Sequence, residues 1–277
     1  MTQLYHPPAT FGLRTLRAAV GLGGALAAGA GCWLTASLDE VRARDAGVLA
    51  DGGLATTGGA DPDCDGAILC DGFEHDGGFD LGLWPNPDGD QVRATLTLDP
   101  SRAHRGRYAL HARIPRSADG SRAEAFLIHK RERFPAELHG RVFVYLPGAR
   151  PPDPWRPEFL GLQGEAGKGI SFSFPNGTMN GFIYSESPGV TGLAPAPFPT
   201  DAWACVRFHI VGAGAPPSSV EGFIDGGSVF RADSVAGLPP LVELHLGLRL
   251  EATSRDVASD LWLDDLVVAR SPPRCDD

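Results

Sequence analysis

Lysine is nearly missing from this chain. Of its 24 Lys and Arg residues only Lys130 and Lys168 are lysines, and the formal net charge is −10. The acidic balance leaves no basic stripe to meet phosphates, which excludes a nucleic-acid partner. The apolar run from Ala18 to Gly31 is too short and too rich in Gly to read as a membrane-spanning helix, which needs ~20 apolar residues. No two of the five cysteines stand in C-x-x-C spacing, so a structural zinc site of the finger or ribbon kind is excluded. Gly-x-Ser-x-Gly does not occur, and a serine-hydrolase elbow has nothing to rest on.

What is present falls into three zones. Arg14 and Arg17 precede a short run from Ala18 to Gly31 made almost wholly of Ala, Gly, Leu and Val, with Cys32 directly after it. A positive region, a short apolar region and small residues describe an export signal. Cys32, after Gly29-Ala30-Gly31, resembles a bacterial lipoprotein cleavage site, although Gly29 stands where that motif prefers Leu. Residues 1–32 are therefore expected to be a lipoprotein export signal, with lipid on Cys32 as the membrane contact. The expected location is the outer membrane or cell surface. The alternative is an ordinary secretory signal cut near Ala30, giving a periplasmic or secreted protein. Residues 33–63 are rich in Gly, Ala, Asp and Thr without a sustained apolar period, and they read as a flexible tether.

Residues 64–277 are ample for one large core. Period-two apolar alternation with turn residues between runs predicts an all-β sandwich. The expected strands are Val92–Leu98, Tyr108–Ile114, Ala123–Phe134, Gly140–Tyr145, Glu158–Gln163, Gly169–Phe174, Gly181–Glu186, Ala202–Val211, Val220–Ile224, Ser228–Ala232, Leu241–Glu251 and Asp260–Ala269. Asp225-Gly226-Gly227 reads as a hairpin turn, because glycine reaches positive φ without steric cost. Proline clusters at 147–157, 195–199 and 215–217 fall between runs, where a missing amide donor does no harm.

Leu69-Cys70-Asp71-Gly72-Phe73-Glu74 near the start of this zone and Trp262-Leu263-Asp264-Asp265-Leu266-Val267-Val268-Ala269 near its end resemble the outer, mutually paired segments of concanavalin A-like jelly rolls. Gly106-Arg-Tyr-Ala-Leu-His-Ala, Asp201-Ala-Trp203-Ala-Cys205 and the Asp-Gly hairpin fit the same family. The fold implied is an all-β, two-sheet antiparallel jelly-roll sandwich. Its ends lying side by side favour disulfides Cys64–Cys275 and Cys70–Cys205, against the alternative Cys64–Cys70 with Cys205–Cys275. Related jelly rolls carry calcium. Asp71, Glu74 and Asp265 are the candidate ligands for such a structural ion, the alternative being that these acids merely face solvent at the edge.

Sugar chains in this family lie on one sheet, held by aromatic faces and by Arg, Gln, Asn and carboxylates. The candidate ligand-binding residues are Arg122, Glu124, Trp155, Gln163 and Tyr184, with Asn180 beside the last. Ser121-Arg122-Ala-Glu124 resembles the Arg-x-Glu strand of alginate-lyase-like polysaccharide lyases, and Gln163 resembles their Gln strand. Those lyases place histidine two residues after the glutamine, where this chain has Glu165. They also supply a tyrosine near the C-terminus, where Glu243-Leu-His245-Leu-Gly-Leu-Arg249 has none. Glu-x-Asp-x-x-Glu, the glucanase pattern of the family, is absent. Asp264 and Asp265 are adjacent in a strand, so only one is expected to point inward. Phe172, Phe174 and Phe182 are assigned to the core, and Trp84, Trp203 and Trp262 to the core or sheet ends. His111, His129, His209 and His245 are read as structural or surface residues. Three functions follow: a non-catalytic module for polysaccharide or cell-surface glycan, a lyase with a divergent site using Arg122, Gln163 and His245, or a structural cell-envelope module.

Overall fold

A computed structural model of the chain describes residues 64–76, 78–87, 91–115, 122–148, 157–174, 178–184, 197–250 and 258–275. The expectations for the signal, Cys32, the tether and Trp155 lie outside the described residues.

The described chain folds as strands joined by turns. In order they are β1 Leu69–Asp71, β2 Gln91–Val92, β3 Thr95–Asp99, β4 Ala109–Ile114, β5 Ala123–Lys130, β6 Leu138–Tyr145, β7 Pro157–Gly164, β8 Gly169–Ser173, β9 Asn180–Tyr184, β10 Trp203–Val211, β11 Ser218–Ile224, β12 Gly227–Val235, β13 Leu241–Leu250 and β14 Ser259–Ala269. An eight-stranded sheet runs β12-β11-β10-β6-β14-β4-β3, with β1 added beside β14; a six-stranded sheet runs β2-β5-β13-β7-β8-β9. Every pairing is antiparallel.

Alternation sets the layers. Leu244, Leu246, Leu248 and Leu250 of β13 point into the same core as Val206, Phe208 and Ile210 of β10 and Leu261, Leu263, Leu266 and Val268 of β14. Burying each such side chain contributes about 1.5–3 kcal/mol. Phe208 lies against its register partner Gly140, and a Cβ on Gly140 would enter its ring. Phe230 is fitted the same way between Gly222 of its own sheet and Gly181 of the other. Phe172 and Phe174 are core residues as expected.

The outer segments pair as the resemblance implies: Leu69 faces Val268, Cys70 faces Val267 and Asp71 faces Leu266. The Asp225-Gly226 hairpin forms with both residues at positive φ, 46° and 82°, the two-residue turn that matches strand twist. Three expectations change. The run 92–98 is two strands in different sheets, because Arg93 at φ 55° breaks the extension between β2 and β3. Trp262 lies mid-strand and half-buried on the outer face of the eight-stranded sheet, whereas Trp84 is fully in the core.

The third change concerns the cysteines, which pair as Cys64–Cys70 and Cys205–Cys275, with Cα separations of 5.5 and 5.8 Å. The chain after β14 does not stay at the edge beside residue 64. Arg141 donates to the Arg274 carbonyl at 2.7 Å and Arg207 to that of Pro273 at 3.5 Å. This tail crosses the outer face of β6 and delivers Cys275 to β10. Cys64 is left to close a turn with Cys70, next to the Ala67 N–H bonded to the Cys64 carbonyl.

Candidate functional site

The outer face of the six-stranded sheet is built by the residues that alternate with its core leucines. Register aligns them in rows. Lys130, Glu243 and Gln163 share one row with the backbone of Gly169 and Tyr184; Ile128, His245, Gly161 and Ser171 share the next. Glu124, Arg249, Glu158, Ser173 and the backbone of Asn180 form a third. Thus Arg122, Glu124, Gln163 and the Tyr184 backbone occupy one sheet, with His245 on its central strand region.

Charge on this face is internally matched. Arg122 donates through Nε to Glu124 at 3.0 Å. Lys130 Nζ lies 3.0 Å from Glu243 Oε1, and His245 Nε2 lies 3.0 Å from Glu243 Oε2. Arg249 of β13 is bound by Glu158 of β7, and both side chains are nearly buried. Burial raises the Glu243 carboxyl, but the hydrogen bonds from His245 and Lys130 outweigh it and hold it below its ordinary value. His245 is only 12% exposed, tied to this carboxylate and stacked at a tilt against Phe126. The partners Lys130, Glu158, Glu243 and Arg249 were not singled out from the sequence. Their signal was the polar phase of β13, visible as Glu243-x-His245-x-Gly247-x-Arg249, but the opposing carboxylates become apparent only from register.

A second polar cluster sits on the outer face of the eight-stranded sheet. A β-bulge in β14 puts Asp265 at φ 48° and shifts the register against β6 between Asp264 and Val267. The extra residue breaks period-two alternation, so both acids are buried, Asp264 completely. Asp264 accepts from the N–H groups of His104 and Asp265 at 2.8 Å each, and Asp265 meets His104 Nδ1 at 2.7 Å. Burial, then the charge of Asp265, pushes Asp264 up to about 8 against these amide donors. His104 in turn stacks on Phe143 at 3.6 Å. A cavity of about 520 Å³ opens beside them, lined by His104, Arg105, Phe143, Trp203, Asp225 and the Cys205–Cys275 disulfide.

The three acids considered for calcium flank Gly72, where a Cβ would lie 3.6 Å from Asp265 Oδ1 and 4.0 Å from Glu74 Cγ. Asp71 accepts from the Trp84 indole at 2.6 Å and the Phe73 N–H at 2.7 Å. Glu74 accepts from the N–H groups of Arg107 and Tyr108. Asp265 is held by His104. Each carboxylate thus serves chain donors and keeps further lone pairs beyond them. Among the described residues the one set of three His, Cys, Asp or Glu side chains whose ligand atoms all lie within 4.8 Å of one another is Glu137, His139 and His209.

Solved structures share this architecture. A cellulose-induced protein, Cip1, superposes with a TM-score of 0.58 at 19% identity, over 75% of this chain and 100% of that one. An endo-β-1,4-glucuronan lyase from the fungus Trichoderma reesei gives 0.55 at 15%, over 74% and 96%. Alginate lyase Aly36B gives 0.53 at 12%, over 73% and 96%. The fold is a concanavalin A-like jelly roll. No protein-family model and no curated protein matches the chain. In this jelly roll Glu165 leaves the strand and opens the 3-10 turn Glu165–Gly167, so it does not stand on the sheet where the lyase resemblance places histidine. β13 offers His245 and no tyrosine.

Proposed function

We propose that the domain is a non-catalytic carbohydrate-binding module whose outer six-stranded face takes an extended polysaccharide. We further propose that the chain is exported and held at an outer membrane through lipid on Cys32. The two disulfides accord with an oxidising, extracytoplasmic setting.

One observation carries the reading. The three cations that β5 and its neighbours present to this face, Arg122, Lys130 and Arg249, are each paired with a carboxylate of the chain. Eliminative cleavage of a uronate needs its carboxylate neutralised and a base and an acid on one ring, and here each of these cations already meets a carboxylate of the chain. A neutral or weakly charged glycan needs only fixed donors and acceptors on a broad surface, and held ion pairs supply those. The neighbouring structures, two of them lyases of glucuronan and alginate and one a cellulose-induced protein, support sugar as the ligand class.

The test is calorimetric titration of the purified protein with cello-oligosaccharides, alginate and glucuronan fragments, alongside absorbance of unsaturated uronides. Binding without absorbance change, lost in Gln163→Ala and weakened in Arg122→Ala, is the expected result. Release of unsaturated uronides returns the lyase reading with Arg122, Gln163 and His245. Silence in both assays favours the structural envelope module.

A further inference from the structure

On the opposite sheet, His139 of β6 and His209 of β10 are direct register partners. Directly opposed residues of an antiparallel pair share a face at close range. Their rings stack at 4.0 Å with an interplanar angle of 10°, and both direct Nε2 to one atom, Glu137 Oε1, at 3.2 Å from His209 and 3.8 Å from His139. At 3.8 Å the His139 nitrogen is beyond hydrogen-bond range of this oxygen, so a hydrogen bond explains the approach of His209 and not that of His139.

We propose that Glu137, His139 and His209 bind one divalent transition-metal ion of the Zn²⁺ class. Two imidazoles and one carboxylate form a donor set that suits zinc and its neighbours and is poorly matched to Ca²⁺ or Mg²⁺, which prefer oxygen throughout. Zinc–nitrogen bonds of about 2.0–2.1 Å place tetrahedral donors roughly 3.3 Å apart. The ligand atoms, already within 4.8 Å of one another, therefore close by small side-chain movements. His139 is nearly buried and fixes the position, while the part-exposed His209 and the exposed Glu137 are free to adjust.

Three protein ligands leave a position for water or a small anion. A cavity of about 190 Å³ lies beside it, lined by His139, His209, Arg207, Phe223, Pro272 and Pro273. Arg207 sets a limit on affinity, because its charge lies one row away. Its guanidinium turns to the Pro273 carbonyl and the Phe223 ring, and Glu137 offsets the remainder. The ion would clamp β6 to β10 at the end remote from the Cys205–Cys275 bridge.

The experiment uses full-length, tag-free protein stripped of metal, titrated calorimetrically with ZnCl₂ and followed by Co²⁺ absorption. One saturable equivalent is expected, with the intense visible bands of a tetrahedral Co²⁺ site. His209→Gln removes it. Glu137→Gln weakens it by more than the roughly 10–100-fold that loss of an outer partner costs. Both positions are accessible enough that the metal-free melting temperature should stay unchanged, separating ligand loss from misfolding. His111→Gln, beside Asp99 and Asp260, should leave binding intact. No Zn²⁺ uptake at millimolar concentration, uptake unaffected by His209→Gln or lost in His111→Gln, or a preference for Ca²⁺ would each overturn the proposal.

Discussion

Arg249 and Glu158 form an ion pair across β13 and β7 with 11% and 6% of their side chains exposed. A nearly buried pair of this kind punishes the loss of one partner far more than the loss of both.

Arg249→Leu alone should destabilise the domain by about 3–5 kcal/mol, because the nearly buried Glu158 carboxylate loses the guanidinium that faces it. The double variant Arg249→Leu/Glu158→Leu should recover most of that. Urea unfolding of the four members of the cycle reads the coupling directly. A double variant as unstable as the single one would contradict the assignment.

Asp264 makes stability depend on pH in an unusual direction. The unfolded chain releases this proton near the ordinary carboxylate value of 3.8, whereas the folded state holds it to about 8. Between those limits the folded state binds more protons, so this group's contribution falls as pH rises. Asp264→Asn cannot ionise. Its unfolding free energy, measured by urea titration at several pH values, should show a shallower decline than the wild type from about pH 4 to pH 8.

The two disulfides should differ in weight. Cys205–Cys275 closes a separation of 70 residues and Cys64–Cys70 one of 6. Loop-closure entropy assigns about 4 kcal/mol to the first and about 2 kcal/mol to the second. Paired Cys→Ser variants compared by denaturant unfolding check the order, and non-reducing peptide mapping checks the pairing.

Gly140→Ala should cost at least about 1–3 kcal/mol through overpacking against Phe208, although alanine suits most strand positions no worse than glycine. Thermal unfolding of Gly140→Ala, with Gly226→Ala in the open hairpin as a comparison without ring contact, separates packing from backbone effects. Gly226→Ala is disfavoured only by its positive φ of 82°.

How far these features were visible beforehand follows from their range along the chain. Strand positions rest on local alternation, and thus β10, β13 and β14 stand within a residue of their expected bounds. Alternation misleads where a residue leaves the extended region. Arg93 splits one expected strand between two sheets, and Asp265 buries two neighbours at once. Neither side chain announces a positive φ. The cysteine pairing depended on the path of residues 271–275, which has no periodic signal. The polar partners on the outer face of the six-stranded sheet and the His139–His209 pair depend on register, a property of two strands together. Arg122 and Gln163 stood out in the sequence by motif; the carboxylates that pair with the cations of this face did not.

The pairing of Leu69 with Val268 carries a consequence for how the molecule comes into being. Among the described strands β1 pairs with β14 alone, and β14 is the last of them. A contact between opposite ends of a chain forms late, because its loop must close before it rewards. In a polypeptide that emerges amino end first, the opening strand must wait for the closing one. Such a domain cannot complete itself segment by segment during synthesis or passage through a pore. The first strand can pair with its partner only once residue 268 is free, so the opening segment of the sheet is joined by its closing one.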